Sequence, residues 1–236
     1  MIERMLNRAQ AAGIPLHRAQ AEKFETYHRM LTEANAKFNL TRIPDDEIEA
    51  IDRNYLDCLA PLRFGPINME RAIDVGSGAG FPGVPLAICM EQTRFVFLDS
   101  LGKRVDFLND VIEKLGLNAQ AIHLRAEDGA RRPELREAFD LATARAVAPL
   151  NLLAEYLLPF VRVGGTMLAY KGPSLAEELD AASNALSLLG GHCARVERAD
   201  IPGRDWDHRL CWIEKVEPTP DKYPRKAGKP EKKPLV

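Results

Sequence analysis

Cysteine is scarce in this 236-residue chain: Cys58, Cys89, Cys193 and Cys211 are the only four. They lie far apart and no two have metal-ligand spacing, which predicts reduced and largely buried thiols. The five histidines (His17, His28, His123, His192, His208) form no HxxxH or HxH pattern, so neither a structural nor a catalytic metal is expected. No apolar run approaches the ~20 residues that span a bilayer. The amino terminus, MIERMLNRAQAAG, lacks the continuous apolar stretch and small-residue cleavage site of a secretion signal. A cytoplasmic protein without membrane contact is therefore expected. An excess of one charge sign is missing too. The net charge of -2 points to no nucleic-acid partner by itself.

What is present is ordinary in bulk and informative in arrangement. Apolar residues at 46% and charged residues at 28% suit one globular domain with a sizeable core and a small appendage. Charge is unevenly placed. Residues 219–236 carry six basic side chains (Lys222, Arg225, Lys226, Lys229, Lys232, Lys233) against Asp221 and Glu231. On charge alone such a tail reads as a solvated, partly disordered end. A phosphate-contacting arm is the sharper reading.

Patterning divides the chain into three parts: helical residues 1–64, a central domain over 65–217 and the basic tail from 218. Phe24, Tyr27, Leu31, Ala34 and Phe38 recur at helical spacing, a stripe suited to packing on the main domain. A shorter helix carries Ile48, Ile51, Tyr55, Leu56 and Leu59. Strand and helix then alternate. AIDV, RFVFLD, AQAIHL, DLATAR and TMLAYK read as strands, and HCARVERAD with HRLCWIEKV reads as an antiparallel closing pair. Pro149 suits the first turn of a helix that ends before Gly164-Gly165. Ser174 and Glu177 fit a capping box for the next helix. This cadence predicts a mostly parallel, doubly covered α/β sheet, with ligands at the carboxyl ends of the strands. Those ends are Asp74–Gly80, Asp99, Arg125–Glu127, Arg145 and Lys171–Gly172.

The stretch AIDVGSGAGFPGVPLAI holds four glycines within eight residues. A glycine turn between a strand and a helix brings backbone close to a nucleotide. Gly76, Gly78 and Gly80 read G-x-G-x-G, and Phe81 stands where a dinucleotide fingerprint needs its third glycine. No Gly-Lys-Ser/Thr follows, so a P-loop is excluded. The turn, with Ser77 inside it, resembles motif I of the class I S-adenosylmethionine-dependent methyltransferases. Asp99, 23 residues after Gly76, fits the acidic ligand of a ribose diol. The same spacing occurs in dinucleotide enzymes. Glu127 stands where such methyltransferases meet adenine. The resemblance implies a Rossmann-like, mostly parallel seven-stranded sheet and S-adenosylmethionine as cofactor.

A narrower resemblance covers nearly the whole chain. FNLTRI, DVGSGAGFPGVPLAI, FLDSLGKRVDFLNDV, RAED, ARAVAPL, YKG and YPRKAGKPEKKPL are similar to the ribosomal small-subunit methyltransferase G family, also called glucose-inhibited division protein B. That resemblance implies methylation of N7 of a guanine in the 530 loop of 16S ribosomal RNA by a monomeric enzyme, acting on the RNA or the small subunit. It places Gly76 and Phe81 at the cofactor, Ala126 and Glu127 at its adenosine, and Arg145 at the cofactor–substrate junction. Asn39, Lys171 and Arg209 match polar substrate-side positions. The chain departs from the family at Asn54-Tyr55, where many members carry a histidine.

The residue chemistry agrees with N7 as the target. That atom has an in-plane lone pair and no proton, so methyl transfer needs alignment rather than a general base. No Asp/Asn-Pro-Pro-aromatic motif is present to hold an exocyclic amine, and no cysteine stands at the fourth or fifth strand end to attack a pyrimidine. Arg145 is expected to orient the base through O6 or a phosphate. Each candidate also has a structural reading: Asn39 as a turn residue, Arg145 in an ion pair, Lys171 solvated, and Arg209 paired with Asp205 or Asp207. Trp206 and Trp212 read as packing residues. Two other functions fit the pattern less well. One is a methyltransferase for another RNA, a protein or a small molecule. The other is a non-catalytic ribosome-assembly module. A dinucleotide enzyme fits least.

Overall fold

The computed structural model describes residues 1–65, 67, 69–145 and 148–235. Ala146 and Val147 of the ARAVAPL motif lie outside that set. Seven strands form one sheet: β1 (Arg71–Val75), β2 (Arg94–Asp99), β3 (Ala119–His123), β4 (Phe139–Arg145), β5 (Val161–Lys171), β6 (Gly191–Arg198) and β7 (Arg209–Lys215). Their order is β3-β2-β1-β4-β5-β7-β6. The first five run parallel, and β7 runs antiparallel to both β5 and β6. This is the seven-stranded, mostly parallel α/β sheet expected from the cadence. The chain leaves β1 for one neighbour, β2, and later returns to its other side as β4, so the carboxyl end of β1 is the switch point.

Alternation along the strands feeds two cores. Ala72, Phe95, Phe97, Leu141 and Leu168 face one layer, and Ile73, Val96, Leu98, Ala142 and Met167 face the other. The first layer holds α1 (Ile2–Ala11), α2 (Arg18–Asn35), α5 (Gly83–Cys89) and α6 (Gly102–Leu115). It also holds a compound helical run: α3 (Glu47–Ala50), a π-helical turn over Ile51–Leu56, α4 (Asp57–Leu59) and a 3-10 turn over Ala60–Phe64. The aromatic stripe of α2 thus shares a core with the sheet. The second layer holds α8 (Leu150–Leu157) and α9 (Leu175–Leu189). A short α7 (Ala126–Gly129) follows β3, and α10 (Lys229–Lys232) lies near the carboxyl end.

Several local expectations are corrected. Strand β5 begins at Val161 and runs through Gly164 and Gly165, because a 3-10 turn over Leu158–Phe160 ends the preceding helix. Ser174 caps α9 without the expected capping bond to the backbone. Its hydroxyl instead donates to Glu178, a residue occupied elsewhere in the site. The tail is not a loose solvated end. Tyr223 and Leu235 pack into the second core, and Arg225 forms an ion pair with the fully buried Glu155 of α8.

Candidate active site

The glycine turn is shaped by three positive-φ residues: Gly76 at 73°, Gly78 at 60° and Gly80 at 105°. A side chain is strained in these conformations. At Gly80 it would also collide, since a Cβ would stand 2.6 Å from Val84 Cγ2 and 2.8 Å from the Tyr27 hydroxyl. The turn is tied to β2: the amides of Gly76 and Ser77 donate to Leu98 O at 2.8 and 3.1 Å. The Ser77 hydroxyl donates to Asp74 O.

Asp99 is buried at the end of β2. Its Oδ2 accepts the Gly78 amide at 2.8 Å and its Oδ1 accepts the Leu101 amide at 2.9 Å. Arg104 also reaches Oδ2, at 3.5 Å, and Oδ1 keeps a lone pair for a hydroxyl of a ribose diol. Leu124 N donates to Asp99 O, which sets α7 and its Ala126 and Glu127 beside this carboxylate. Glu127 is buried and accepts the Gly228 amide from the tail at 3.2 Å. Open space above Gly78, where a Cβ would meet nothing closer than Gly76 O at 3.9 Å, completes a cradle that fits an adenosine-bearing cofactor.

The N-terminal helices buttress the turn. Tyr27 is fully buried and donates to Ala79 O at 2.6 Å. The rings of Tyr27 and Tyr55 flank Phe81, with centroids 5.8 and 6.1 Å away. Burial holds both phenols protonated. At the position where many family members carry a histidine, the Tyr55 hydroxyl bonds to Nδ1 of His28 at 2.7 Å. Tyr27→Phe leaves the buried Ala79 carbonyl without its donor, so a stability loss of about 1–3 kcal/mol is expected. A calorimetric melt and a cofactor titration of that variant check it.

On the other side of β1, Arg145 closes β4. Its guanidinium lies 5.0 Å from the Phe81 ring centroid and donates to Arg53 O at 2.9 Å and to Asp57 Oδ2 at 3.2 Å. Asp57 Oδ1 meets Nδ1 of His208 at 2.7 Å. That bond to the carboxylate raises the His208 pKa against the opposing effect of burial. The π-turn explains the placement. The Asp57 amide donates to Asp52 O, an i→i+5 bond, and both acids serve the loop between β6 and β7. Asp52 is fully buried and holds Arg8 at 2.8 Å and Arg204 at 2.7 Å. Asp57 takes His208. Trp206 of that loop stacks on His208 at 5.4 Å and lies under Arg53 at 4.7 Å, which makes it a packing residue as expected.

The strand order thus aligns Glu127, Asp99, Gly76–Phe81 and Arg145 along one rim. Lys171 and Arg209 extend it, as register partners on β5 and β7. Both are already paired. Lys171 donates to Ala148 O at 3.0 Å and pairs with Glu178 at 2.5 Å, while Glu178 also accepts the Leu150 amide at 2.8 Å. The structure therefore gives Lys171 a loop-fixing role in place of a solvated one. Arg209 pairs with Asp207 at 2.7 Å. Asn39 is exposed, and no hydrogen bond joins it to the rim among the described residues. The turn role weighed for it belongs to Asn35, whose Oδ1 accepts the amides of Leu40 and Thr41. A cleft of about 1010 Å³ opens at the opposite end of the sheet, beside Met69 and Thr93, and contains none of the rim residues.

Sequence reasoning missed Asp57 and His208, gave Tyr27 a packing role alone, and placed Asp74 at a strand end without its buried carboxyl. Asp74, next to last in β1, is fully buried, with Oδ1 unpartnered among the described residues and Oδ2 accepting the Gly83 amide at 3.1 Å. Burial pushes its carboxyl up to about 7, against the Gly83 bond. The folded protein therefore holds this proton more tightly than the unfolded chain does. Stability from this group is full below the unfolded pKa near 4 and falls until the folded pKa near 7 is passed. The loss by pH 8 reaches up to about 4 kcal/mol. Asp74→Asn removes the slope, so its melting temperature relative to wild type should rise from pH 4 to pH 8 in the cofactor-free protein. A parallel pair of pH profiles would refute this.

Residues 20–205 match the family model described as rRNA small subunit methyltransferase G. The chain belongs to the rRNA small subunit methyltransferase G family. A relative of that name from Clostridium perfringens (strain 13 / Type A) is 45% identical over 227 residues, covering 95% of each chain. Another from Clostridium botulinum (strain Eklund 17B / Type B) is 45% identical over 233 residues, covering 98% of this chain and 97% of its own. Among solved structures, cofactor-bound Rv0187 from MTB superposes with a TM-score of 0.58 at 17% identity, over 83% of this chain and 91% of that one. This likeness shows the fold. Membership in the methyltransferase G family makes the chain an S-adenosylmethionine-dependent methyltransferase.

Proposed function

We propose that this methyltransferase G family member methylates N7 of a guanine in the 530 loop of 16S ribosomal RNA, as a monomer in the cytoplasm. The observation that carries the reading is Arg145. It stands at the strand end next to the glycine turn, locked by Asp57, Arg53 O and the Phe81 ring. A guanidinium held this way presents fixed donors to guanine O6 or a flanking phosphate.

The cofactor supplies the electrophilic sulfonium methyl. The chain's own residues bind and align. Asp99 and Glu127 hold the adenosine end, Gly76, Ser77 and Gly78 present bare backbone, and Phe81 with Arg145 borders the substrate. Guanine N7 attacks without losing a proton, and this rim suits such a nucleophile. Asp57 and Asp99 are engaged with their own partners. Cys58 donates to Asn54 O, and burial pushes its thiol up to about 12, so no thiolate is ready to attack a pyrimidine. Arg145 is kept from opposing the cationic product by the Asp57 carboxylate beside it. N7 is inaccessible in the deep major groove of an A-form helix, which favours a base in a loop or flipped from the stack.

The test is transfer of labelled methyl from S-adenosylmethionine to hypomethylated 30S subunits and to deproteinised 16S RNA, with mapping by borohydride–aniline cleavage. A single cut in the 530 loop is expected. Comparing the two preparations identifies the recognised form. No label in either RNA, with cofactor binding intact, overturns the reading in favour of a protein or small-molecule substrate.

A further inference from the structure

The C-terminal segment is an unusual use of lysine-rich sequence. It leaves β7 at one end of the sheet, where Thr219 is fastened. Lys215, fully buried, donates to Glu137 Oε1 at 2.9 Å and to Thr219 Oγ1 at 2.7 Å, and the Thr219 amide donates to the same Glu137 oxygen at 2.7 Å. Arg136 donates to the carbonyls of Thr219 and Tyr223, and Arg131 donates to that of Pro224. Glu155 then receives the Arg225 amide at 2.8 Å and its guanidinium at 2.5 Å. Beyond this clamp the chain reaches the catalytic rim. Gly228 N meets Glu127, the Tyr156 hydroxyl meets Glu231 at 3.3 Å, and Asn151, in the first turn of α8, donates to Leu235 O at 2.9 Å. Helix α8 follows the loop that leaves Arg145.

The segment is thus fastened on its polar backbone and on Arg225, but not through its lysines. Lys226, Lys229, Lys232 and Lys233 are exposed, and no ion pair or hydrogen bond engages their side chains among the described residues. The one acid among them, Glu231, is bonded to Tyr156. Ordering such a segment costs chain entropy, and holding four like charges together adds repulsion. A buried carboxylate offsets both. That arrangement makes physical sense when a polyanion completes the site.

We propose that residues 225–235 form a docked cationic platform for RNA phosphates at the rim of the cofactor site, with the Glu155–Arg225 clamp holding its lysines in place. The inference rests on the ribosomal RNA reading and extends it. Fixed cations release counterions from the RNA without first having to be ordered. Through Gly228 and Glu127 the platform also has a set distance from the adenosine end of the cofactor.

The experiment uses the full chain with Lys226, Lys229, Lys232 and Lys233 all changed to Gln. Binding to deproteinised 16S RNA is measured across a series of salt concentrations. The slope of log K against log salt should weaken by about 2–3, at roughly 0.7 for each phosphate no longer neutralised, and affinity at moderate salt should fall ~10–100-fold. Cofactor affinity and melting temperature should not change. An unchanged slope and affinity overturn the platform. A second variant, Glu155→Gln, keeps every lysine but loosens the clamp, so the same loss of affinity is expected together with faster tryptic cleavage of the tail. If the tail is released and RNA affinity stays at the wild-type value, the docked state is not what binds, and the proposal fails. Where Glu155→Gln does not fold, the double variant Asn151→Ala, Tyr156→Phe releases the end of the segment alone and is read the same way. Wild-type methyl transfer to 16S RNA, run in parallel, separates the two ideas. Active wild type with an unchanged slope in the quadruple variant sinks the platform only. Wild type inactive on 30S subunits as well as on 16S RNA sinks the proposed substrate, while the slope still decides the platform.

Discussion

Gly78→Asp is expected to abolish methyl transfer while the protein still folds. A Cβ at this position would meet nothing nearer than Gly76 O at 3.9 Å, and the φ of 60° is one that aspartate tolerates better than most residues. Stability should fall by no more than about 1–2 kcal/mol. Binding is another matter. The Gly78 amide donates to Asp99 Oδ2 at 2.8 Å, so the new carboxylate enters the cradle beside an existing one. It fills the space that the cofactor's ribose needs and repels the ligand that should hold it. Like charges set against each other cost several kcal/mol, which corresponds to a loss of cofactor affinity of ~100-fold or more. Isothermal titration with S-adenosylmethionine, beside a thermal melt, reads both effects. Retained affinity would mean that the cofactor does not cross this turn. The same variant distinguishes an enzyme from an assembly factor. If RNA association and the cellular role survive the loss of methylation, catalysis is not the main task of the chain.

The cradle that Gly78→Asp blocks was legible because its parts are local. Three glycines, an apolar strand before them and an acid one strand later lie within the contiguous run Arg71–Asp99, and strand–helix alternation dictates which end of the sheet they share. Arg145 and Lys171 were found by the same rule of strand ends. Their partners were not. Asp57 is 88 residues from Arg145 and 151 from His208, and only the folded chain brings the three together. A weak signal existed: Asp52 and Asp57, each next to buried apolar residues (Ile51 and Leu56), lie five apart, a spacing that suits a π-turn and no regular α-helical face. The tail was misread for a different reason. Composition reports what solvates a segment, but not what anchors it, and one of its anchors, Glu155, is a lone glutamate inside LNLLAEYLL. Lys171 illustrates the same limit. Its place on the strand was readable, whereas its commitment to Glu178 and Ala148 O required α9 to fold back across the rim.

Asp57→Ala should be the most damaging single change outside the cofactor cradle. The carboxylate is nearly buried, and it neutralises Arg145, which is itself only 18% exposed. Removing one member of a buried pair leaves the other charge uncompensated, at a cost of about 3–5 kcal/mol. Arg145 retains Arg53 O and the Phe81 ring, so the lower end of that range is expected. Catalysis should suffer more than folding. Freed from Asp57, the guanidinium loses its fixed orientation toward the substrate, and misplacement of about 1 Å is enough to cost ~100-fold in rate. It also faces the cationic product without a neighbouring anion. The expected signature is a fall in kcat at saturating cofactor with cofactor affinity preserved, because Asp99 and Glu127 are untouched. Asp57→Asn divides the two roles. The amide oxygen still accepts a bond from Arg145 but carries no charge, so much of the geometry is kept while the neutralisation is lost. His208 supplies a third readout. Its bond to Asp57 raises its pKa, so the protonated imidazole is favoured in the wild type, and that preference is lost as pH rises through the raised value. In Asp57→Asn the histidine titration, followed by NMR of the ring protons, should move to lower pH. If kcat in both variants equals that of the wild type, Arg145 does not depend on Asp57, and the arginine's place at the junction must be fixed by the Phe81 ring and Arg53 O alone.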